Sequence, residues 1–264
     1  MSGEVVENHL GYDRDHGKLG AVPVRVTTII PVLNEQQRID RVLDLLSCSE
    51  TPLEIIVCDG GSQDDTFERA RRRAGVRAMR TPRGRATQMN AGAREARGEV
   101  LWFLHADCEP SADAARAITD ALTRPDRSWG AFRFALHGSR RSFRLIERLV
   151  AWRTRWRQLP YGDQGLFVRR ETFEQLGGFR AVPVFEDVYL VRALRRISPP
   201  VLLDQPLPSS PRRWEREGLL CTFFRHQWML LLDALGASPE RLARVRETAA
   251  RESSSSEGAR TAPH

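Results

Sequence analysis

The sequence predicts an α/β fold in which a mostly parallel central sheet is flanked by helices on both faces. Runs rich in β-branched residues alternate with helical patterns through the first half of the chain. Two of those runs, at 53–57 and 100–104, are apolar at nearly every position, as expected of parallel strands buried on both faces. The length of 264 residues, of which 41% are apolar, suits one large domain of this kind.

The first half of the chain is predicted to contain four strands and three helices in alternation. The first helix is predicted from apolar residues that recur at helical spacing, and Asp64 or Asp65 is the expected N-cap of the second helix. This order is typical of a nucleotide-binding type of α/β sandwich. The strands are expected at 24–32, 53–57, 76–79 and 100–104, and the helices at 35–46, 66–74 and 86–96.

The second half of the chain is less regular. Five prolines between 199 and 211 predict an irregular connection there. The patterns predict strands at 129–136 and 166–169, a basic amphipathic helix at 140–157, a helix at 186–196 and a hydrophobic helix at 219–235. We expect a flexible leader at 1–22, one domain at 23–216, C-terminal helices at 217–250 that pack on the domain or on a membrane, and a disordered serine-rich tail at 251–264.

Composition narrows the functional classes. The chain carries 41 lysine and arginine residues against 34 acidic ones, for a net charge of +7, but the arginines are spread over many helices. A nucleic-acid-binding protein would concentrate them on one face with aromatic residues for stacking, so no nucleic-acid partner is expected. The four cysteines lack C-x-x-C spacing, which disfavours a zinc ribbon and suits a reducing compartment.

Two segments of the chain could contact a membrane. The N-terminus lacks the apolar region of a signal peptide, and no run approaches the ~18 apolar residues of a membrane span, so a cytoplasmic location is predicted. The segment 140–157 is cationic with interleaved tryptophans, and 221–232 is strongly apolar. Both could lie on an anionic membrane, or they could pack together as core and dimer interface.

Four polar clusters follow the first four predicted strands, at 31–35, 59–66, 83–92 and 105–110. Ligands of open α/β sheets bind beyond the carboxyl ends of the strands, so we expect the clusters to converge on one edge. Asp59 is placed to accept hydrogen bonds from a base or a ribose, whereas Asp64 and Asp65 are expected to start a helix. Asp107 can hold Mg²⁺ or Mn²⁺ against a diphosphate, with His105 either a further ligand or a turn residue.

Two further polar clusters lie in the second half. Residues 161–165 form a polar turn before a strand, and Glu186 and Asp187 stand at the start of a predicted helix. These carboxylates either complement the helix dipole or include a general base that removes a proton from an attacking hydroxyl. A helix N-terminus lowers a carboxylate pKa, whereas a base works best nearer pH 7, and partial burial can restore the value. Both interpretations stay open on spacing alone.

In their order along the chain, these clusters resemble the motifs of the family 2 glycosyltransferases, which have a GT-A fold and use nucleotide-diphosphate sugars. The resemblance extends from about 24 to 214. Gly60 stands where the family's aspartate-rich motif has its second aspartate, and His105 stands where its D-x-D motif has the first. The matching segments are Pro31–Glu35, Asp59–Thr66, Gly84–Gly92, His105–Asp107, Gly177–Phe179 and Glu186–Asp187. More narrowly, His105–Asp107, Tyr161–Gln164 and Arg212–Gly218 look like a bacterial subgroup associated with radical-SAM genes and arsenosugar biosynthesis.

The resemblance implies transfer of a sugar from a nucleotide-diphosphate donor to a hydroxyl or phosphate acceptor, which could be lipid-linked. It implies an inverting reaction with Asp187 as the base and Glu186 beside it positioning the acceptor. Mg²⁺ or Mn²⁺ would bind at Asp107 and His105 and neutralise charge on the leaving diphosphate. Acceptor contacts are implied for Tyr161, Gly162, Asp163 and Gln164. Donor contacts are implied for Pro31, Asn34, Glu35, Asp59, Gly60, Arg85, Asn90, Ala106, Arg212, Arg213 and Trp214.

Other enzyme classes fit the sequence less well. A sugar nucleotidyltransferase shares the α/β nucleotide-binding fold but normally needs a glycine-rich N-terminal loop with arginine and lysine. The single lysine of the chain, Lys18, lies in the predicted leader. A dinucleotide-dependent oxidoreductase is disfavoured because the cluster at 59–66 lacks the pattern G-x-G-x-x-G.

Overall fold

The computed structural model describes residues 25–212 and 218–246, and a seven-stranded sheet forms its centre. The strands are β1 Val26–Val32, β2 Leu53–Asp59, β3 Val76–Arg80, β4 Val100–Phe103, β5 Trp129–Leu136, β6 Phe167–Arg169 and β7 Val201–Ser209. They lie in the order β3-β2-β1-β4-β6-β5-β7. Strand β6 runs antiparallel to β4 and β5, and the other pairings are parallel. The predicted mostly parallel sheet is confirmed.

Helices cover both faces of the sheet, as the sequence predicts. Within β1, Val26 and Ile30 belong to one hydrophobic cluster with the helices Ile39–Ser47 and Ala114–Ala121, whereas Ile29 belongs to a second cluster with the helices Arg85–Glu95 and Glu186–Leu194. This alternation is that of a strand buried on both faces. The helices are α1 Ile39–Ser47, α2 Thr66–Arg71, α3 Arg85–Glu95, α4 Ala114–Ala121, α5 Arg141–Arg157, α6 Arg170–Gln175, α7 Glu186–Leu194 and α8 Leu219–Ala234, with a 3₁₀ turn at Gly162–Gln164. A further helix at 239–246 follows α8.

The chain path creates a crevice at the carboxyl ends of β1 and β4. From β1 the chain passes through β2 to β3 on one side, and then crosses to β4 on the other side of β1. Ligands bind at such a reversal of strand order. The N–H of Leu104 donates to the carbonyl of Ile29 at 3.0 Å, which keeps the segment after β4 beside β1. His105 and Asp107 therefore lie at the crevice.

Strand β7 lies where the sequence predicts an irregular connection. It pairs in parallel with β5 although it contains Pro206 and Pro208, and the register shifts between Ala131 and Arg133 opposite it. Proline is tolerated because β7 is an edge strand, on which one row of backbone groups has no ladder partner. The expectation of an irregular connection is wrong.

Other boundaries differ less. Helix α1 begins at Ile39 rather than at 35, because the chain first makes a turn in which the N–H of Arg38 donates to the carbonyl of Glu35 at 2.9 Å. The N-cap of α2 is Asp65, one of the two predicted residues, while the carboxylate of Asp64 accepts from the N–H of Thr66 at 3.0 Å. Helices α2 and α7 end two or three residues before their predicted ends, while α4 and α6 have no counterpart in the prediction.

The helix α8 packs against the domain through one face. Met229 and Leu230 join Val188 of α7 and Leu242 in a hydrophobic cluster. Within the described residues, no helix is both long enough and apolar enough to cross a membrane. The leader expected at 1–22 and the tail expected at 251–264 lie outside the described residues.

Candidate active site

A pocket of about 250 Å³ lies beside the end of β4 and is shared by both halves of the chain. The first half contributes α3 and the segment after β4, and the second half contributes α5, the 3₁₀ turn, α7, α8 and the helix at 239–246. The structure thus brings together predicted site residues that are up to 102 positions apart in the sequence, from Arg85 to Asp187. The predicted residues that line the pocket are Arg85, His105, Asp107, Tyr161, Asp163, Glu186 and Asp187.

A row of contacts connects the two halves of the pocket. The Nε of Arg85 lies 3.4 Å from a carboxylate oxygen of Glu186, and its Nη2 contacts the Nε2 of His105. The next residue, Asp187, accepts hydrogen bonds from the N–H of Gly162 at 2.7 Å and from its neighbour Val188 at 2.8 Å. Arg85 therefore connects the segment after β4 with the carboxylates at the start of α7.

The two carboxylates of α7 differ in their surroundings. Glu186 is only 6% exposed, and burial raises its pKa above the ordinary glutamate value, with Arg85 acting in the opposite direction and Asp187 in the same direction. Asp187 instead has both oxygens bound by backbone N–H groups, which fixes its orientation. Both carboxylates lie in the first turn of α7, where they complement the helix dipole, and both line the pocket.

The residue before this pair has an unusual backbone conformation. Phe185 has a φ of 66°, in the left-handed region that a bulky residue seldom adopts, and it lines the pocket. Such strained positions cluster at functional sites, where the surrounding structure enforces them. Here the strained residue begins α7 and directs Glu186 and Asp187 into the pocket.

The loops after β1 and β2 form hydrogen bonds with each other. The N–H of Asn34 donates to the hydroxyl of Ser62 at 2.9 Å, and the N–H of Gln63 donates to Oδ1 of Asn34 at 2.9 Å. The N–H of Glu35 donates to Oγ1 of Thr66 at 2.7 Å, while the Glu35 carboxylate pairs with Arg38. Asn34 is therefore occupied in holding the loops together.

Asp59 is fully buried, contrary to the expected contact with a base or ribose. Its carboxylate accepts hydrogen bonds from the N–H groups of Gly61 and Ser62 and from the Ser62 hydroxyl, and Arg80 lies 3.6 Å away. The loop after β2 thus encloses the side chain. Asp59 shapes this loop, and the sequence could not reveal that because spacing gives no direction for a side chain.

Three other predicted donor residues act through the backbone. Pro31 lies within β1 in register with Cys58, and Ala106 is 6% exposed. The N–H of Gly60 donates to the carbonyl of Val32 at 3.0 Å, which ties the end of β2 to β1. These positions set the course of the chain beside the crevice.

Asn90 binds the backbone of Phe179 and is not among the residues that line the pocket. Its Nδ2 donates to the Phe179 carbonyl at 2.8 Å, and the Phe179 N–H donates to its Oδ1 at 2.9 Å. Gly178 has a φ of 76°, and a Cβ there would lie 2.7 Å from Oδ1 of Asn90, so this position requires glycine. Two of the sequence motifs therefore meet in a structural contact.

Gln164 is also structural, in contrast with the expected acceptor contact. It is 2% exposed, and its amide donates to the carbonyl of Phe132 at 3.0 Å and accepts from Oγ1 of Thr154 at 3.3 Å. The N–H of Gly162 is taken by Asp187. Of the predicted acceptor residues, Tyr161 and Asp163 line the pocket.

The predicted metal ligands, Asp107 and His105, lie at the same pocket. Among the described residues, no group of three or more His, Cys, Asp or Glu side chains is arranged to hold a metal ion. Mg²⁺ and similar ions are often held by one or two protein groups together with substrate phosphates. Asp107 and His105 fit a cation of that kind, which the donor diphosphate would help to bind, and do not form a complete site by themselves.

Of the predicted donor contacts at 212–214, Arg212 lies within the described residues. The Nη2 of Arg212 lies 3.3 Å from Oε1 of Gln37, in the turn before α1. The contact connects the chain after β7 with the chain after β1, on the side of the crevice. Arg213 and Trp214 lie outside the described residues.

Several polar pocket residues on α5, α8 and the helix at 239–246 were not predicted from the sequence. These are Arg153 of α5, Thr222, Arg225, His226 and Gln227 of α8, and Arg246. One signal was present for Arg153, because it follows Phe143, Ile146 and Val150 at helical spacing and so stands on the apolar face of α5. A charged residue on such a face needs a partner or a function.

Comparison with known families matches residues 27–183, more than half of the chain, to the model of glycosyl transferase family 2. A curated relative, glycosyltransferase AglE of Haloferax volcanii, is 33% identical over 94 residues. That match covers 32% of this chain and 31% of AglE, so the chain spans less than a third of the length of this relative.

Solved structures of similar fold include several nucleotide-sugar complexes. The mannosyltransferase PcManGT of Pyrobaculum calidifontis, in complex with GDP-Man and Mn²⁺, has a TM-score of 0.57 and 20% identity, covering 88% of this chain and 75% of that one. TarS 1-349 of S. aureus, in complex with UDP-GlcNAc, has a TM-score of 0.54 and 15% identity, covering 70% and 58%. Glucosyl-3-phosphoglycerate synthase of Mycobacterium tuberculosis, in complex with Mn²⁺, UDP and glucosyl-3-phosphoglycerate, has a TM-score of 0.52 and 19% identity, covering 70% of each chain.

Proposed function

Since the chain belongs to glycosyl transferase family 2 and is therefore a glycosyltransferase with a GT-A fold, we propose that it transfers a sugar from a nucleotide-diphosphate donor to a hydroxyl or phosphate acceptor. The observation that carries the proposal is the shared pocket, which joins Asp107 and Arg85 to the carboxylates of α7. A transferase needs both parts, because the donor phosphates and the acceptor must meet at one anomeric carbon.

The donor diphosphate belongs at the end of the pocket beside β4. This end lies at the reversal of strand order, where nucleotides bind in open α/β sheets. Arg85 offers its guanidinium to the phosphates and is already held near Glu186. Asp107 and His105 would hold a divalent cation, either Mg²⁺ or Mn²⁺, which when bound neutralises charge on the leaving diphosphate.

Asp187 is proposed as the base in an inverting transfer. It accepts the proton of the acceptor hydroxyl while that oxygen bonds to the anomeric carbon, and the bond from this carbon to the diphosphate oxygen breaks. The nucleoside diphosphate then leaves with the bonding electrons. The two backbone N–H groups that bind Asp187 orient its carboxylate for this step, and Glu186 beside it positions the acceptor.

Two exposed helix faces support a peripheral contact with an anionic membrane. Trp152 and Trp156 of α5 stack with ring centroids 5.4 Å apart and are 63% and 68% exposed. The exposed arginines Arg148 and Arg155 flank them on the same face. Tryptophan together with arginine is the composition of helices that lie in a membrane interface. On α8, a second apolar face exposes Phe224, Trp228, Leu231 and Leu235.

We also propose a narrower family assignment and a cellular location for the protein. The motifs at His105–Asp107 and Tyr161–Gln164 support membership of the bacterial subgroup associated with radical-SAM genes and arsenosugar biosynthesis. The four cysteines of the chain are free in the structure, as expected of a reducing, cytoplasmic compartment.

A thermal-shift screen of GDP- and UDP-sugars, with and without Mn²⁺, tests the function. Ligands that bind the folded state raise the melting temperature, so at least one donor should raise it, and Mn²⁺ should increase the shift. Asp107→Ala should remove the part that depends on Mn²⁺. Asp120→Ala, which removes an exposed carboxylate from α4, is the matched control and should behave as the wild type. An unchanged Mn²⁺ effect in Asp107→Ala would refute the assignment of Asp107, and a screen without any shift would refute donor binding.

A further inference from the structure

A buried arginine lines the pocket and lies near carboxylates without forming an ion pair with any of the described residues. Arg153 is 6% exposed, and its guanidinium lies over the ring of Tyr161, with 4.1 Å from its Cζ to the ring centroid. Its Nε is buried without a hydrogen-bond partner, and no carboxylate of the described residues forms an ion pair with it. Besides this cation–π contact, the charges of Asp163 and Asp187 act on Arg153 without forming an ion pair with it.

Such a group is expensive to bury. Desolvation disfavours the charged form and lowers the pKa of Arg153, but arginine stays protonated in proteins. Buried charges are normally paired or hydrogen-bonded, since the folded state otherwise bears their desolvation cost. Because Arg153 lines the pocket, a ligand can supply the missing acceptor atoms.

Two neighbours on α8 show the same deficit. Oγ1 of Thr222 and Nε2 of Gln227 are buried without a hydrogen-bond partner among the described residues, and both residues line the same pocket. Both can donate a hydrogen bond, as can Nε of Arg153. Three residues of α5 and α8 that carry buried, unpaired donor atoms therefore line one cavity, together with the carboxylates of Asp163 and Asp187.

These hydrogen-bond donors lie apart from the proposed binding site of the nucleotide-sugar. Arg85 pairs with Glu186, whereas the acidic groups that act most on Arg153 are Asp163 and Asp187. The turn that contains Tyr161 and Gly162 connects Arg153 to Asp187. Arg153 thus lies on the Asp187 side of the carboxylate pair, and Arg85 on the Glu186 side.

We propose that Arg153, with Thr222 and Gln227, binds an anionic group, a phosphate or carboxylate, on the acceptor. This inference rests on the proposed function, because it places the acceptor next to Asp187. A planar guanidinium forms paired hydrogen bonds with such groups, and its stacking on Tyr161 fixes its plane in advance. The group belongs either to a small soluble acceptor or to the head of a lipid acceptor, and both offer the same oxygens to Arg153.

Calorimetric titration of the full chain tests the site. The protein is first saturated with Mn²⁺ and with GDP or UDP, whichever binds, so that the donor phosphate site is filled. Glycerol 3-phosphate is the soluble probe, dihexanoyl phosphatidic acid is the lipid probe, and glycerol is the neutral control. We expect at least one phosphate probe to bind the loaded protein, and glycerol to give no signal. The probe that binds identifies the source of the anion.

Variants assign the binding to Arg153. Arg153→Gln should weaken the probe at least about tenfold, the loss expected for a charge-assisted pair, and leave nucleotide affinity unchanged. Arg141→Gln is the matched control, because it removes an exposed charge from the same helix, and it should stay within about twofold of the wild type. Thr222→Val removes one donor without a change in charge and should weaken the probe a few-fold, which tests the site should Arg153→Gln fail to fold.

Failure of this inference differs from failure of the proposed function. If the nucleotide binds but neither phosphate probe binds beside it, or if the probe displaces the nucleotide, the acceptor-anion site is refuted. Equal probe affinity in Arg153→Gln and the wild type would refute it as well. If no nucleotide binds, the proposed donor site itself is refuted.

Discussion

At the residue scale, Glu186 is a carboxylate of the pocket that is buried almost completely. Burial raises its pKa from the ordinary value of 4.5, even though Arg85 lies 3.4 Å away. The folded state therefore binds the Glu186 proton more tightly than the unfolded state does. By linkage, this group makes the fold less stable as pH rises from about 4.5 through the raised pKa.

Glu186→Gln should remove this dependence. The variant keeps the shape of the side chain without its charge, so its melting temperature should rise relative to the wild type as pH increases from 4.5 to 8. Thermal denaturation of both proteins across that range measures the difference. If the melting temperature of Glu186→Gln fell relative to that of the wild type as pH increases, the pair with Arg85 would outweigh burial, contrary to this account.

The same scale shows what the sequence could predict about the site. Asp107, His105 and the carboxylates of α7 were predicted from their places at the ends of strands and helices, and Arg85 from the family resemblance; all of them share one pocket. Asp59 was predicted from its place after a strand and Gln164 from the resemblance, and both are buried in local hydrogen bonds. Spacing places a residue at an edge, but the neighbouring loop decides which way a short polar side chain points.

At the element scale, α8 completes the pocket and is held on α7 by a charged contact. Asp233 accepts hydrogen bonds from the hydroxyl of Tyr189 and from Arg192, and only 3% of the Asp233 side chain is exposed. Burial, with the hydrogen bond to Asp233 as a second cause, raises the pKa of Tyr189 to about 12, so the phenol remains a donor. This contact positions the face of α8 that carries Thr222 and Gln227.

Asp233→Ala should loosen α8 more than the rest of the fold. Loss of a charged acceptor leaves two buried or half-buried donors without a partner, which costs about 2 kcal/mol. Amide hydrogen exchange should accelerate over 219–234 and stay unchanged in β1, β2 and β4. The exposed residue Asp204, which pairs with Arg155, provides the control Asp204→Ala. Uniform destabilisation of all elements by Asp233→Ala would contradict the local role of the contact.

Elements were predicted well where burial on two faces marks them and poorly where proline dominates. Strands β1, β2 and β4 are buried on both faces, so their apolar runs identify them. Strand β7 was not predicted because prolines disfavour strands. It can be identified as an edge strand only from its pairing with β5. Sequence alone carries no information on that distant partner.

At the scale of the whole molecule, α5 and α8 present different side chains on opposite faces. Their inner faces line the pocket, and their outer faces expose large apolar side chains. Exposed apolar patches of this kind mark interaction sites. A membrane bound to the outer faces would bring a lipid acceptor close to the pocket.

Co-sedimentation with vesicles tests that contact. The wild type should pellet with vesicles that contain phosphatidylglycerol more than with neutral phosphatidylcholine vesicles, because exposed arginines attract anionic lipid. Trp152→Glu combined with Trp228→Glu should reduce pelleting several-fold. Ile197→Glu, at an exposed apolar position outside both helices, is the matched control. Equal pelleting of the wild type and the double variant would exclude these faces as the contact.

The most direct test of the central claim, that the pocket joins a bound nucleotide-sugar to a base on α7, is turnover of the donor. The release of nucleoside diphosphate from the donor identified by the thermal-shift screen can be followed with water as the acceptor. We predict that Asp187→Asn binds this donor as the wild type does and releases the nucleoside diphosphate at least about 100-fold more slowly. Unchanged release, or a loss of donor affinity with unchanged turnover at saturation, would contradict the account.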